Sequence, residues 1–373
     1  MENVCHTLAG AALAKAGLER VTPLALPTLL IGANLPDIDL VARLDGPVAY
    51  LHHHRGITHS LVGVIGLAVL LALLMFAFDR WGWQRFGKRP ERARPGGLLL
   101  VSLIGAASHP LLDYTNSYGI RPFLPWNDQW YYGDLAFIVD SWLWLMLGGA
   151  VFWLTSRTRG QVMGWGLLWG LMSLIVLGAH LALTWQRQPP LGFAWLWLML
   201  LGVIVYARWR GIQRYGAKLA VGSLIVTAGY WATLAAAHAI AVRQVEAASH
   251  LAVPAEITTR HAALPRPATP LTWDGLFESS REVFYGVVSI TSGPGRDWSV
   301  KRFPKRLDDP LVRQALNTCA GATMLIFARY PFAEVERNEN GYTIILRDAR
   351  YEREQKSGFG AMAITVNDSA ADE

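Results

Sequence analysis

The chain has 373 residues, 52% of them hydrophobic and only 17% charged, where an ordinary soluble domain carries about 25% charged residues. That composition argues against a soluble globular enzyme and for a membrane protein. The net charge of +6 does not signal nucleic acid, because the basic residues fall in short clusters between apolar runs and not along one face.

The two cysteines, Cys5 and Cys319, lie far apart and imply no disulfide framework. Met1-Glu2-Asn3-Val4 has no basic start, and Lys15 interrupts the apolar stretch after it, so this segment does not resemble a signal peptide. A short helix is expected over Val4–Leu18. A second apolar run over Thr22–Leu35 is punctuated by Pro23, Pro27 and Pro36. About 14 residues of helix reach only about 21 Å against a hydrocarbon core of about 30 Å. Residues 4–36 are therefore expected to form a re-entrant or interfacial helical hairpin ending at Pro36-Asp37-Ile38-Asp39.

Leu61–Phe78 is the first uncharged run long enough to span. The basic residues Arg80, Arg85, Lys88, Arg89, Arg92 and Arg94 follow it and place that loop inside. Further spans are expected at Leu98–Tyr114, Leu135–Leu154, Val162–Thr184, Leu191–Ala207 and Leu219–Val242, six in all. Arg157 and Arg159 then fall inside, Arg187 outside, and Arg208, Arg210, Arg214 and Lys218 inside. This alternation puts everything after Val242 outside. Trp126, Trp130, Trp142, Trp185 and Trp195 sit near outer ends, as an aromatic belt would. Residues 243–270 suggest a proline-punctuated linker. Residues 271–373 suggest a small α+β module, with strands such as Val283–Ile290 and Tyr342–Arg347 and a helix near Pro310–Ala320 opened by Asp308 or Asp309.

The chemistry gathers in the first half. His52-His53-His54-Arg55-Gly56-Ile57-Thr58-His59-Ser60 packs four histidines ahead of an apolar run, and imidazole is the commonest metal ligand. A spacing of five does not place His54 and His59 on one helix face, so Gly56 suggests a bent loop, with Thr58 or Ser60 capping the next helix. His109 and Asp113 are four apart, on one helix face. With Asp37, Asp39 and Asp140, these groups converge on the outer side of the membrane. Ionisable groups at membrane depth mark functional sites by default.

A mixed His and Asp set suits zinc, manganese or iron, one or two ions per chain, and the chemistry expected of it is hydrolytic, through metal-activated water. Asp37 or Asp39 takes the base or bridging role, and Arg55 is placed to clamp an anionic group such as phosphate. Blander readings stand beside these. The histidine run could be a solvated loop, His109 and Asp113 an intramembrane hydrogen-bonded pair, and Asp37-Ile38-Asp39 a cap. Asp134 favours a cap over a ligand, while Asp140, deeper by about a turn, is the better ligand candidate. His180 and His238 lack companion carboxylates and suggest interfacial polar residues. His6 joins the site only if the hairpin returns to the outer side.

At these residues the sequence resembles the membrane-bound metal-dependent hydrolase family that includes the LexA-regulated, YdjM-like bacterial inner-membrane proteins. The resemblance rests on His6-Thr7-Leu8-x-Gly10, Leu35-Pro36-Asp37-Ile38-Asp39, His54-Arg55-Gly56-Ile57-Thr58-His59-Ser60 and Ser108-His109-x-x-x-Asp113. It continues through Tyr118-Gly119, Pro122-Phe123 and Gly133-Asp134-Leu135 to Ile138-Val139-Asp140, and covers about residues 1–155. It implies a metal-dependent hydrolase with His6, Asp37, Asp39, His54, His59, His109 and Asp113 as the metal and catalytic set. The C-terminal module is similar to the tail of longer bacterial members.

The expectation is therefore a mainly α, polytopic bacterial inner-membrane protein. Its domains are 1–155 (metal site), 156–242 (further spans), 243–270 (linker) and 271–373 (outside). Asp37, Asp39 and Arg55 are the catalytic candidates. His6, Asp39, His54, His59, His109, Asp113 and Asp140 are the metal-ligand candidates, with zinc the first choice of metal. The substrate would be an ester or phosphoester, lipid-derived at the bilayer, with no nucleic-acid partner. The alternative is a non-enzymatic metal-binding transporter or scaffold. Polar residues are almost absent from the last three expected spans, which argues against transport.

Overall fold

The computed structural model describes residues 1–82, 91–182, 191–253, 257–292, 300–338, 341–351 and 359–367. Arg85, Lys88, Arg89, Trp185, Arg187 and Pro254 lie outside the described residues. The chain divides into two compact units. The first holds Met1–Ile38, Arg55–Ala235 and Arg266–Thr269; the second holds Asp39–His54, Ala236–Pro265 and Pro270–Glu373.

The N-terminal hairpin forms as expected. Helix α1 spans Asn3–Lys15 and starts where the Glu2 side chain accepts from the Cys5 backbone N–H, satisfying one of the orphan donors of a helix N-terminus. Helix α2 spans Ala25–Gly32 and is followed, after a bend of 40°, by a 3-10 stretch over Leu35–Asp45. A bent apolar pair of this kind is a broken span or a re-entrant loop. The short helix α3, Pro47–His53, belongs to the second unit. Helix α4 runs Leu61–Ala77 and continues as a π-turn through Gly82. Its cap is Ser60, whose Oγ accepts from the Gly63 N–H at 3.1 Å. Helix α5 spans Pro95–Tyr114, helix α6 Ser141–Thr155, helix α7 Arg159–Ala182, helix α8 Leu191–Trp209 and helix α9 Ala217–Ala252.

Among the described residues, five helices are long and apolar enough to cross a membrane, and six if the bent pair counts as one span. Five of the six expected spans are present, the bent pair is not among those expected, and the difference falls at Leu135–Leu154. There the helix begins only at Ser141, and its 15 residues reach about 22 Å, too short for a bilayer core. The preceding residues are used otherwise. The N–H groups of Gly133, Leu135 and Ala136 donate to Tyr114 and Thr115 carbonyls at 2.7–2.9 Å, which ties this stretch to the end of α5.

Two close approaches position the site. A Cβ on Gly105 of α5 would lie 3.1 Å from the Leu29 carbonyl oxygen and 3.3 Å from the Gly32 Cα of α2, so the α2 and α5 backbones are in direct contact. A Cβ on Gly63 would lie 1.8 Å from the Ile57 carbonyl oxygen, so only glycine lets the turn at Ile57–His59 fold back on α4. The rest of the bundle packs through tryptophans: Trp169 and Trp197 are buried among Leu8, Leu143, Leu147 and Ile204. Lipid tails are as apolar as these side chains, so this packing gains from van der Waals contact and interhelical hydrogen bonds rather than from leaving water. Trp197 Nε1 donates to Ser173 Oγ at 3.0 Å, and Trp153 Nε1 to the Ile204 carbonyl at 2.8 Å.

In the second unit, strands β1 (Arg260–Arg266), β2 (Thr269–Glu278), β3 (Glu282–Ser289) and β4 (Lys301–Pro304) form one sheet in that order. Helix α10 spans Pro310–Leu316, capped by Asp309, and helix α11 spans Cys319–Phe327, capped by Thr318. A second antiparallel sheet joins β5 (Pro331–Asn338), β6 (Gly341–Asp348) and β7 (Ala361–Asn367). The α+β module forms as expected, although its single expected helix is two.

The expected linker over 243–270 is not one. Residues 243–252 continue α9, and β1 and the start of β2 occupy most of the remainder. Ala237, Ala241 and Val245 of α9 pack on Trp273, Phe277 and Phe284 of the first sheet. Asp39–His54 clusters with this unit and not with the expected N-terminal domain, because α3 packs against α11.

Candidate metal centre

Four side chains of the first unit direct one donor atom each at a common point: Asp37, His59, His109 and Asp113. His59 Nε2 lies 3.1 Å from His109 Nε2. Asp37 Oδ1 lies 3.6 Å from His59 Nε2 and 3.4 Å from His109 Nε2. Asp113 Oδ2 lies 3.4 Å from His59 Nε2 and 3.5 Å from His109 Nε2. A tetrahedral ion with arms of about 2.1 Å has ligand-to-ligand edges of about 3.4 Å, so these spacings fit a single bound metal.

The protonation of His109 supports the same reading. Its Nδ1 is 2.7 Å from the Ala33 carbonyl oxygen, which can only accept, so Nδ1 carries the hydrogen. In the neutral ring Nε2 is then a lone pair facing another imidazole nitrogen and two carboxylate oxygens, an arrangement that a cation at the centre satisfies.

Each ligand comes from a different local device. His109 and Asp113 occupy one face of the last turns of α5, four residues apart. His59 ends the 3-10 turn Ile57–His59 that Gly63 admits. Asp37 sits in the first turn after the bend beyond α2, and the contact at Gly105 brings that bend against α5. A further layer holds the ligands in place. Arg55 Nη2 donates to Asp113 Oδ1 at 2.9 Å, and the Met1 α-amino group contacts the same oxygen, leaving Oδ2 for the centre. Asn3 Nδ2 donates to Asp37 Oδ2 at 3.0 Å, leaving its Oδ1. Partners of this kind fix ligand orientation and raise metal affinity.

Every one of these residues lies in the stretch over which the sequence has a known kin. Residues 1–185 match the YdjM inner membrane protein family. This YdjM region therefore contains the whole four-residue cluster and helices α1, α2 and α4 to α7 of the first unit, and the chain is a multi-pass membrane protein. A relative from Bacillus subtilis (strain 168), described as the uncharacterized protein YfhP, is 26% identical over 132 residues, which is 35% of this chain and 37% of the relative. The match thus spans little more than a third of that relative's length. No solved structure matches.

Within the YdjM region, several expected residues have other partners. His6 stacks on His109 with ring centroids 3.7 Å apart, and its Nε2 is 3.4 Å from Asp113 Oδ1. It flanks the cluster and is not one of the four donors. Asp39 and His54 belong to the second unit and pair with each other, Oδ1 to Nδ1 at 2.9 Å, and both remain among the His and Asp side chains that could hold a metal ion. Asp140 corrects an expectation. It caps α6, with Oδ1 accepting from Trp142 N at 2.9 Å, while Oδ2 accepts from Tyr230 at 2.9 Å. Asp140 is thus the helix cap, and Asp134 lies in the preceding loop at φ 53°.

Arg55 also differs from the expected phosphate clamp. It is 2% exposed, donates to Asp113, Asn116 Oδ1 and the Gly119 carbonyl, and lies over the Tyr118 ring. Its role is to position Asp113. Asn3 and Asn116 were not foreseen, because an isolated asparagine carries no spacing signal. Outside the spans, Glu2 also ties α1 to α6, accepting from Trp144 Nε1 at 2.5 Å. Burial pushes its carboxyl up to about 7, against the opposing effect of its hydrogen bonds.

Proposed function

We propose that this protein is a membrane-bound metal-dependent hydrolase acting on an ester or phosphoester. The observation that carries the proposal is the convergence of Asp37, His59, His109 and Asp113 at spacings that fit one ion. Nitrogen and carboxylate donors without thiolate suit zinc first, with manganese or iron as further candidates. A divalent ion held there supplies Lewis-acid polarisation and lowers the pKa of water toward neutrality.

The protein groups then have distinct tasks. His59, His109 and Asp113 are nearly enclosed, and Arg55 fixes Asp113 in one orientation. Asp37 is the least enclosed of the four, with 10% of its side chain exposed. With His59, His109 and Asp113 holding the ion, Asp37 would take a proton from water and return it to a leaving group instead of serving as a fourth ligand. The basic residues Arg80, Arg92 and Arg94, at the far ends of α4 and α5, support reading the metal-centre end of these two helices as the outer one.

A second reading has one specific observation in its favour. Four protein donors already complete a tetrahedron, which is the pattern of a structural metal site, whereas catalytic sites keep a position open. In that reading the ion staples the Asp37 turn, the His59 turn and α5 together. X-ray absorption of the zinc-loaded protein separates the two. A shell of three or four protein donors plus solvent oxygen, with metal-dependent cleavage of a phosphoester or ester panel, is the expected result. A closed four-donor shell without turnover would establish the staple.

A further inference from the structure

On the His59 side, the surface beside the metal centre is apolar where a soluble hydrolase would be polar. Ile57, two residues before the ligand His59, is 49% exposed, and Leu61, two residues after it, is 58% exposed. Beside them the loop after α5 presents Phe123 at 42% and Trp126 at 79% exposure. These residues are contiguous. Leu61 N–H donates to the Pro122 carbonyl at 3.0 Å, and Trp126 N–H donates to the Phe123 carbonyl at 3.0 Å. No charge interrupts Pro122-Phe123-Leu124-Pro125-Trp126.

The patch continues the exposed row Leu61, Val62, Ile65 and Val69 of α4, a helix long and apolar enough to span. It therefore prolongs a lipid-facing surface past the start of the span, and aromatic residues at such an end lie at headgroup level. The ligands share this level. His59 lies two residues before α4, and His109 lies five residues before the end of α5, about 7–8 Å along the axis.

We propose that Ile57, Leu61, Phe123 and Trp126 form a lipid-immersed rim, and that the centre takes its substrate laterally from the bilayer, as an amphiphile with an ester or phosphoester head. This deepens the hydrolase reading and rests on it for the reaction, but not for the placement.

Two measurements test it on the full chain in phosphatidylcholine nanodiscs. Spin labels at Phe123→Cys and Trp126→Cys, in a Cys5→Ala/Cys319→Ser background, are compared with labels at Val69→Cys and Gln129→Cys. Labels at 123 and 126 are expected to be relaxed more by oxygen than by an aqueous nickel chelate, at a depth between Val69 and Gln129. A nickel preference equal to that of Gln129 overturns the immersed rim. In the second measurement, the manganese-loaded protein is expected to broaden the phosphorus resonance of added phosphatidate several-fold more than that of glycerol 3-phosphate. The Phe123→Asp/Trp126→Asp variant should remove the difference. Equal broadening of the two, or none beyond that of His59→Ala, overturns the membrane source. Neither measurement reads turnover, so a protein that passes both and cleaves nothing overturns the hydrolase and leaves the rim in place.

Discussion

His59 and His109 approach through their Nε2 atoms at 3.1 Å although 50 residues separate them in sequence. Two imidazole nitrogens meet this closely only when a proton or a metal lies between their lone pairs. Elemental mass spectrometry of the purified protein should find about one transition-metal ion per chain, lost in His59→Ala and in His109→Ala. Asp140→Asn should keep its metal, because Asp140 serves the α6 cap and Tyr230.

Arg55 holds Asp113 by its Oδ1 and lies over Tyr118. Arg55→Met should weaken zinc binding by about 10–100-fold, the usual effect of removing a partner behind a ligand. Arg55→Lys should not restore it, since an ammonium cannot reproduce the planar contacts to Asp113, Asn116 and Gly119. Chelator competition measures both. Full zinc affinity in Arg55→Met would refute the positioning role.

Metal binding should depend on pH with a definite sign. Both histidines must be neutral to bind, so protons compete with the ion as pH falls. With two such ligands, apparent affinity should drop by up to about 100-fold per pH unit where both are protonated and level off where both are neutral. Zinc titrations between acidic and mildly basic pH would show this. A flat profile would exclude the histidines as ligands.

Gly105→Leu should separate α2 from α5, since even a Cβ there lies 3.1 Å from the Leu29 carbonyl oxygen. Overpacking of this kind costs about 1–3 kcal/mol. Because α5 carries His109 and the bend after α2 carries Asp37, the variant should lose metal as well as thermal stability. Thermal unfolding in detergent, with and without zinc, gives both readouts; unchanged metal content would show that the contact does not set the site.

The C-terminal module contains a fully buried pair, Arg350 Nη2 to Asp348 Oδ2 at 2.7 Å, and Arg350 also donates to the Phe327 carbonyl. Arg350→Met leaves the carboxylate buried without its main cation, and should cost about 3–5 kcal/mol. Proteolysis of the module at graded urea should report the loss, while metal content stays unchanged because the four donors belong to the first unit.

Much of this architecture is legible in the residues themselves. Four of the six expected long apolar runs closely match helices long enough to span, because a bilayer imposes a minimum length that the sequence must supply. The last, at Leu219–Val242, is extended to Ala252, past the expected start of the linker. Ser60 caps α4 as expected, and the i, i+4 spacing of His109 and Asp113 places them on one face, because both depend only on near neighbours. The sequence also singles out every one of the four clustered residues as chemically unusual.

It does not say which aspartate plays which part. Asp37, Asp113 and Asp140 offer the same carboxylate, and a cap, an ion pair and a ligand differ only in what the fold brings opposite. Tyr230 and the α6 N-terminus claim Asp140; Arg55 and two imidazoles claim Asp113. The segment Asp39–His54 likewise sits beside the YdjM motifs in sequence yet clusters with the C-terminal module, since the helix that buries α3 lies far along the chain. Local spacing fixes helices and caps through interactions a few residues long. The partners of a buried charge are chosen by contacts between distant segments, and only the packed bundle decides them.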